Sequence, residues 1–431
     1  MMILACIGAA GTLVADQPPA NVEPPSAAAL PQDELARSMA AAHEAAAEGN
    51  DEQADKIYRE ILRRNPRNEP AYNELCALAE GQPLAIDSAP LEAARQLVGP
   101  AFTEHVSKRF VVLSQADAVW TRSQIELLER ASHQFHRFAV KIGARPLPLR
   151  HKLVCIMFAG RDSYLEFARE HDELSGGWVS GHYSPRHDWT VFYDNRGTQV
   201  DAGDRQSLEE IRSRIAQLLK MAEQAAASHR DDQARALRQN AALAQDYLNQ
   251  QHERLNDVSQ RESQATSVHE TIHQLLFHTR MQTPHVRYPL WICEGLATNF
   301  ETDSPEQAFG PGYDYSPRRN RFRQLLSENS LIELKQLVQI DRAVDLDRAT
   351  VDAVYNQSYA LVAWMSRFRK NQLNAYLWLM LEQPEGEIAP PEQLRLFEQA
   401  FGDVESLERA WLRFERESNT TTLAPALADG H

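Results

Sequence analysis

The sequence predicts an α+β fold, on three observations. Short apolar runs rich in β-branched and aromatic residues fall between 106 and 193, long stretches with helical spacing lie on both sides of them, and a turn-rich hairpin signal sits among the strands. The 431 residues, 43% hydrophobic and 24% charged, suffice for two or three domains with cores of their own. The net charge of −15 argues against a phosphate-binding surface, and no nucleic-acid partner is expected, since such binders concentrate Lys and Arg. No apolar run reaches the roughly 18 residues that a membrane span requires. Four cysteines without C-x-x-C spacing form neither a disulfide framework nor a thiolate metal site.

The elements follow in order. Residues 1–31 read as a signal peptide and linker. The run MMILACIGAAGTLVA is apolar and ends in small residues, although it lacks the basic n-region, and DQPPANVEPPSAAALP is a Pro/Ala/Ser linker. Export to the periplasm or beyond is therefore expected, with the cytoplasm as the alternative. Residues 32–100 are helical. The turn Gly49-Asn50-Asp51 separates two amphipathic stretches, and Ala54, Tyr58 and Pro66 fall where a tetratricopeptide unit carries its packing residues and terminating proline. A lone unit cannot bury its own face, so it is expected to pack on the main domain or to dock a protein partner.

A main domain is expected over 106–415. Arg109–Leu113 predicts a strand, Arg122–Ile142 a helix, Lys152–Phe158 a buried strand with Cys155 in the core, and Arg161–Glu170 a helix. Trp178–Tyr183 and Trp189–Tyr193 predict a hairpin around Ser184–Asp188. Residues 205–262 hold neither Pro nor Gly. Leu208, Ile211, Ile215, Leu218 and Leu219 mark one apolar face, and Leu237, Leu248, Leu255 and Val258 recur more sparsely. This predicts an inserted antiparallel pair of long, coiled-coil-like helices breaking near Ser228–Asp232, with a solvated charged face and an apolar stripe able to meet a protein partner. The remainder is helical, and 416–431 reads as a disordered tail.

The chemistry concentrates at His269-Glu270-Thr271-Ile272-His273. Residues four apart share one face of a helix, so both imidazoles can reach one ion, while Glu270 projects beside them as a base. Zinc suits such a site because it accepts neutral imidazole and carboxylate in a tetrahedron and leaves one position for water. Chance spacing of the chain's histidines and acidic residues supplies about 0.07 such motifs. A third ligand is needed. A metzincin pattern requires Gly at 276 and His at 279, where this chain has Leu276 and Thr279. His278 and His285 can line the cleft or simply sit at the surface. Glu294, 21 residues beyond His273 and near the start of a helix entered through Pro289, is the better candidate.

H-E-x-x-H-Q followed by Trp291-Ile292-Cys293-Glu294-Gly295-Leu296-Ala297-Thr298-Asn299-Phe300-Glu301 resembles the gluzincin zinc peptidases, the aminopeptidase N and thermolysin-like group. It is most similar to an uncharacterised bacterial set of gluzincin-like domains. The resemblance is carried by Thr266–Glu301 and implies one Zn2+ held by His269, His273 and Glu294, with Glu270 as general base and a peptide or protein as substrate. It further implies an oxyanion-binding tyrosine. Tyr355 matches that position, with Ser358 in place of the glycine of a Y-x-x-G-like helix, and Tyr359 is the competitor one turn later. By the same analogy Trp189–Tyr193 is the edge strand that pairs with an extended substrate. No G-A-M-E-N-like stretch is present, so recognition of a free amino terminus is not implied. Thr298 and Glu301 are the candidates to orient the imidazoles. The contrasting expectation is a non-catalytic, envelope-associated scaffold in which these residues hold a vestigial metal.

Overall fold

The structure, a computed structural model, describes residues 29–174, 180–196, 202–344 and 346–422. The signal-like run, most of the linker, Trp178 and the end of the tail lie outside the described residues.

Three helices open the described chain: α1 (Gln32–Ala47), α2 (Asp51–Arg64) and α3 (Glu69–Ala79). Asn50 and Asn68 start the second and third by accepting hydrogen bonds from Gln53 N and Ala71 N. Ala42, Ala54, Tyr58, Ile61 and Leu75 bury into one small core, which Leu147 of the main body completes. Arg59 Nη2 donates to Pro148 O at 2.8 Å. The helices are thus docked on the rest of the chain.

Next come α4 (Ala89–Val98), β1 (Thr103–Val106), β2 (Phe110–Ser114), α5 (Ala118–Ile142), β3 (Leu153–Phe158), α6 (Arg161–Asp172), β4 (Gly181–Ser184) and β5 (Trp189–Tyr193). The strands form one mixed sheet in the order β1-β2-β3-β5-β4, parallel through β2, β3 and β5 and antiparallel at both edges. The central strands are buried on both faces, as parallel pairing between helical layers requires. Phe110, Val112, Cys155, Met157 and Phe192 face the large core that includes α5. Val111, Leu113, Val154, Ile156 and Val191 face α4 and α6. One expectation is corrected here. The antiparallel partner of Trp189–Tyr193 lies outermost, so β4, not β5, is the edge strand. β5 is held internally by its parallel register with β3.

Two long helices follow, α7 (Ala202–Ala227) and α8 (Asp231–His278). They turn between Ser228 and Arg230, with His229 at a φ of 58°. Buried positions recur every seven residues, at Leu208, Ile215 and Ala222 on one helix and Ala234, Ala241 and Leu248 on the other. That is the spacing of a two-helix seam. Leu219 is exposed rather than on the seam, as are Leu243 and Tyr247. The expected end of this insertion at 262 is not a break in the chain: α8 runs unbroken for 48 residues from the arm into the core.

The remaining elements are β6 (Val286–Arg287), α9 (Leu290–Thr298), α10 (Ser316–Ser327), α11 (Leu334–Leu337), α12 (Arg348–Phe368), α13 (Lys370–Leu381), β7 (Gly386–Glu387), α14 (Pro390–Phe401) and α15 (Val404–Thr422). α15 carries helix through 416–422, where a tail was expected. The described residues therefore form a mixed α+β structure dominated by helix, with the small mixed sheet and a two-stranded parallel pair, β6 with β7. Among the described residues no helix is long and apolar enough to cross a membrane.

Candidate metal centre

Two helices and the sheet edge build the site. The last turns of α8 lie buried between the sheet and α9 and present His269, Glu270 and His273. α9 is anchored by Trp291, which packs against Tyr376 and Phe397. It crosses α12 so closely that a Cβ added at Gly295 would sit 2.6 Å from Val362 Cγ2 and 2.9 Å from Ser358 O. Glycine is required there to bring Glu294, its neighbour, onto the imidazoles.

His269 Nε2 lies 3.1 Å from His273 Nε2 and 3.1 Å from Glu294 Oε2, and His273 Nε2 lies 3.7 Å from the same oxygen. Zinc bonds of about 2.0–2.1 Å arranged as a tetrahedron separate their ligand atoms by about 3.4 Å. The three observed separations bracket that value, and the donor set of two imidazoles and one carboxylate is one zinc accepts. The three residues fit the ion.

The orientation of each group has an identifiable cause. His269 Nδ1 donates to Glu301 Oε1 at 2.8 Å, which directs the Nε2 lone pair at the centre. Arg318 in turn grips Glu301 with two hydrogen bonds of 2.7 Å. Thr298 is not involved, because its hydroxyl donates to Glu294 O one turn back. Glu270 Oε2 accepts the backbone N–H of Tyr183, on edge strand β4, at 2.9 Å. Burial opposes charge on Glu294, but His273 and His269 hold its carboxyl down to about 2. Burial likewise opposes an imidazolium at His269, and its hydrogen bonds to Glu294 and Glu301 outweigh that and push it up to about 10. Loading a metal there must displace a proton.

The two tyrosines of α12 differ. Tyr359 has its hydroxyl occupied by Tyr315 N at 2.9 Å and its ring under Arg319. Tyr355 is buried with its ring 5.8 Å from the Arg318 guanidinium, on the side of the Glu301–His269 pair. His285 is exposed in a loop, away from the centre, and His278 neither joins it nor lies free at the surface.

Sequence reasoning missed Arg318 and Tyr183. Nothing in the local pattern singles out either, since each is defined by a partner far along the chain. It also missed the cluster behind β4. Asp172, at the end of α6, accepts from His182 Nε2 at 2.9 Å, from His187 Nδ1 at 3.0 Å and from the Ser184 hydroxyl, while Tyr164 bonds His182 Nδ1 at 3.0 Å. Because side chains alternate along a strand, His182 and Ser184 pin β4 from one face, while the backbone N–H of Tyr183, which points along the sheet plane, serves Glu270.

A family model described as a protein of unknown function (DUF1570) matches residues 263–384, well under half of the chain. That segment contains the buried end of α8, Glu294, Glu301, Arg318 and both tyrosines. No curated protein matches this chain.

Proposed function

We propose that this protein is a zinc-dependent hydrolase of the gluzincin type, acting on peptide bonds. The observation that carries the reading is the convergence of His269 Nε2, His273 Nε2 and Glu294 Oε2 with Glu270 on the same helix turn. A structural metal site has no use for a carboxylate base beside it, whereas a hydrolytic one does.

Bound zinc supplies Lewis acidity and brings a water towards deprotonation near neutral pH. Glu270 accepts the water's proton at its Oε1, with Oε2 fixed by the Tyr183 N–H, and passes it to the leaving nitrogen. Glu301 and Arg318 keep His269 in the tautomer that leaves Nε2 unprotonated. Tyr355 stabilises the developing oxyanion by donating its phenolic proton; Tyr359, whose oxygen accepts the Tyr315 N–H and whose ring lies under Arg319, is the competitor one turn later. Edge strand β4, lying beside Glu270, takes the role of the substrate-pairing strand. The N-terminal helices are read as a tetratricopeptide-like unit, and the chain as an exported protein.

Zymography on a broad protein substrate tests the proposal. Clearing by the zinc-loaded protein, abolished by a chelator and restored by Zn2+, is expected. A fully zinc-loaded preparation that cleaves nothing across a panel of protein substrates would overturn it.

A further inference from the structure

α8 carries one more histidine at its very end, and this one faces the sheet instead of α9. His278 Nε2 lies 2.7 Å from Asp188 Oδ1, and the ring of His151 stands edge-on to that of His278 with centroids 5.3 Å apart. One nitrogen of each imidazole and one carboxylate oxygen lie within 4.8 Å of one another. We propose that His151, Asp188 and His278 form a second divalent-metal site, separate from the His269 centre, of the two-imidazole, one-carboxylate class that suits zinc and its first-row neighbours. The inference does not depend on the hydrolase reading.

Each ligand is held as a ligand should be. His151 Nδ1 lies 3.0 Å from Lys152 O. A carbonyl can only accept, so Nδ1 carries the proton and Nε2 presents its lone pair, the arrangement metal-binding histidines adopt. Asp188 closes the β4–β5 turn with a left-handed backbone, φ 60°, a conformation Asp tolerates better than most side chains. Its Oδ1 is steadied by the Tyr183 hydroxyl at 3.1 Å, and its carbonyl accepts from Gln274 Nε2 at 3.4 Å. The Asp188 and His278 side chains keep 25% and 14% of their surface exposed, so an ion from solvent can reach them.

A plain ion pair at the end of α8 needs only Asp188 and His278. It gives no reason for a second imidazole, locked in its neutral tautomer, at the same point. An ion explains all three side chains. It would fasten the segment entering β3, the β4–β5 turn and the end of α8 to one another. Tyr183 links the two centres, since its hydroxyl holds Asp188 while its N–H holds Glu270.

The test is metal content of the full chain after dialysis against Zn2+, with Co2+ titration as an optical readout. Wild type should retain two equivalents. His151→Gln should retain one and bind its second Co2+ at least tenfold more weakly. Asp188→Asn, which keeps a residue tolerant of the left-handed turn, should do the same, and circular dichroism verifies that both variants are folded. His273→Ala should lose the other equivalent and leave the His151 one. Wild-type metal content, whether one equivalent or two, that survives both His151→Gln and Asp188→Asn overturns the second site. A single equivalent that disappears in His151→Gln but persists in His273→Ala supports the second site and removes the first.

Discussion

The two halves of α8 have the same backbone and opposite surroundings. From Asp231 to Val258 the helix buries only Ala234, Ala241 and Leu248, spaced seven apart. From Ser263 to Leu276 every residue except Gln264 and His273 is buried. The first half is a two-helix arm whose seam is closed by α7 alone. The second is the spine of the molecule, pressed between the sheet and α9. The change at 262 is thus a boundary of packing and not of secondary structure. Helical spacing cannot reveal it, because one helix can satisfy its backbone across both environments.

The largest expected difference between the halves is chemical. Glu270→Gln should retain zinc and lower hydrolysis by about 10²–10⁴-fold, the usual worth of a positioned general base. Steady-state rates at matched zinc occupancy check it, and undiminished turnover removes Glu270 from its role. Next in size is Gly295→Ala. The added methyl meets Val362 and Ser358 within van der Waals limits, so overpacking should cost about 1–3 kcal/mol by denaturant unfolding and weaken zinc binding.

Behind the edge strand, burial opposes ionisation of Asp172, but hydrogen bonds from His182, Ser184 and His187 outweigh it and hold its pKa below the ordinary carboxylate value. A depressed folded-state pKa contributes stability above the unfolded value, near 4, and the contribution fades as pH falls below that. Asp172→Asn should therefore cost about 1–3 kcal/mol at pH 7, and the gap to wild type should narrow as pH falls from about 4 towards 3. A gap that stays constant with pH contradicts the charged network. The smallest effect belongs to the arm. Leu243→Ser, at an exposed position off the seam, should change stability by less than about 0.5 kcal/mol and leave hydrolysis unaltered.

What was legible in the sequence was whatever depends on short spacing. The pairing of His269 with His273 on one helical face follows from four-residue spacing, the break between α7 and α8 from the loss of apolar rhythm at Ser228–Asp232, and the buried strands from their continuous Val, Ile and Phe runs. What was not legible depends on partners distant in the chain. Tyr183 reaches Glu270 across 87 positions, and Arg318 acquires its role only because α10 swings back onto Glu301. Strand order is of the same kind. Both strands of a hairpin read alike, and parallel pairing with β3 decides which is internal. The hydrogen bond from Tyr315 N to the Tyr359 hydroxyl, which spans 44 positions, is equally invisible to local spacing.

The central claim is that His269, His273 and Glu294 hold a zinc ion beside Glu270. Its most direct test is zinc per chain by elemental analysis in wild type, His269→Ala, His273→Ala and Glu294→Gln, each checked for native helix content. The account predicts that every one of the three variants loses one equivalent that wild type retains through dialysis. Variants that keep the wild-type metal content would contradict it.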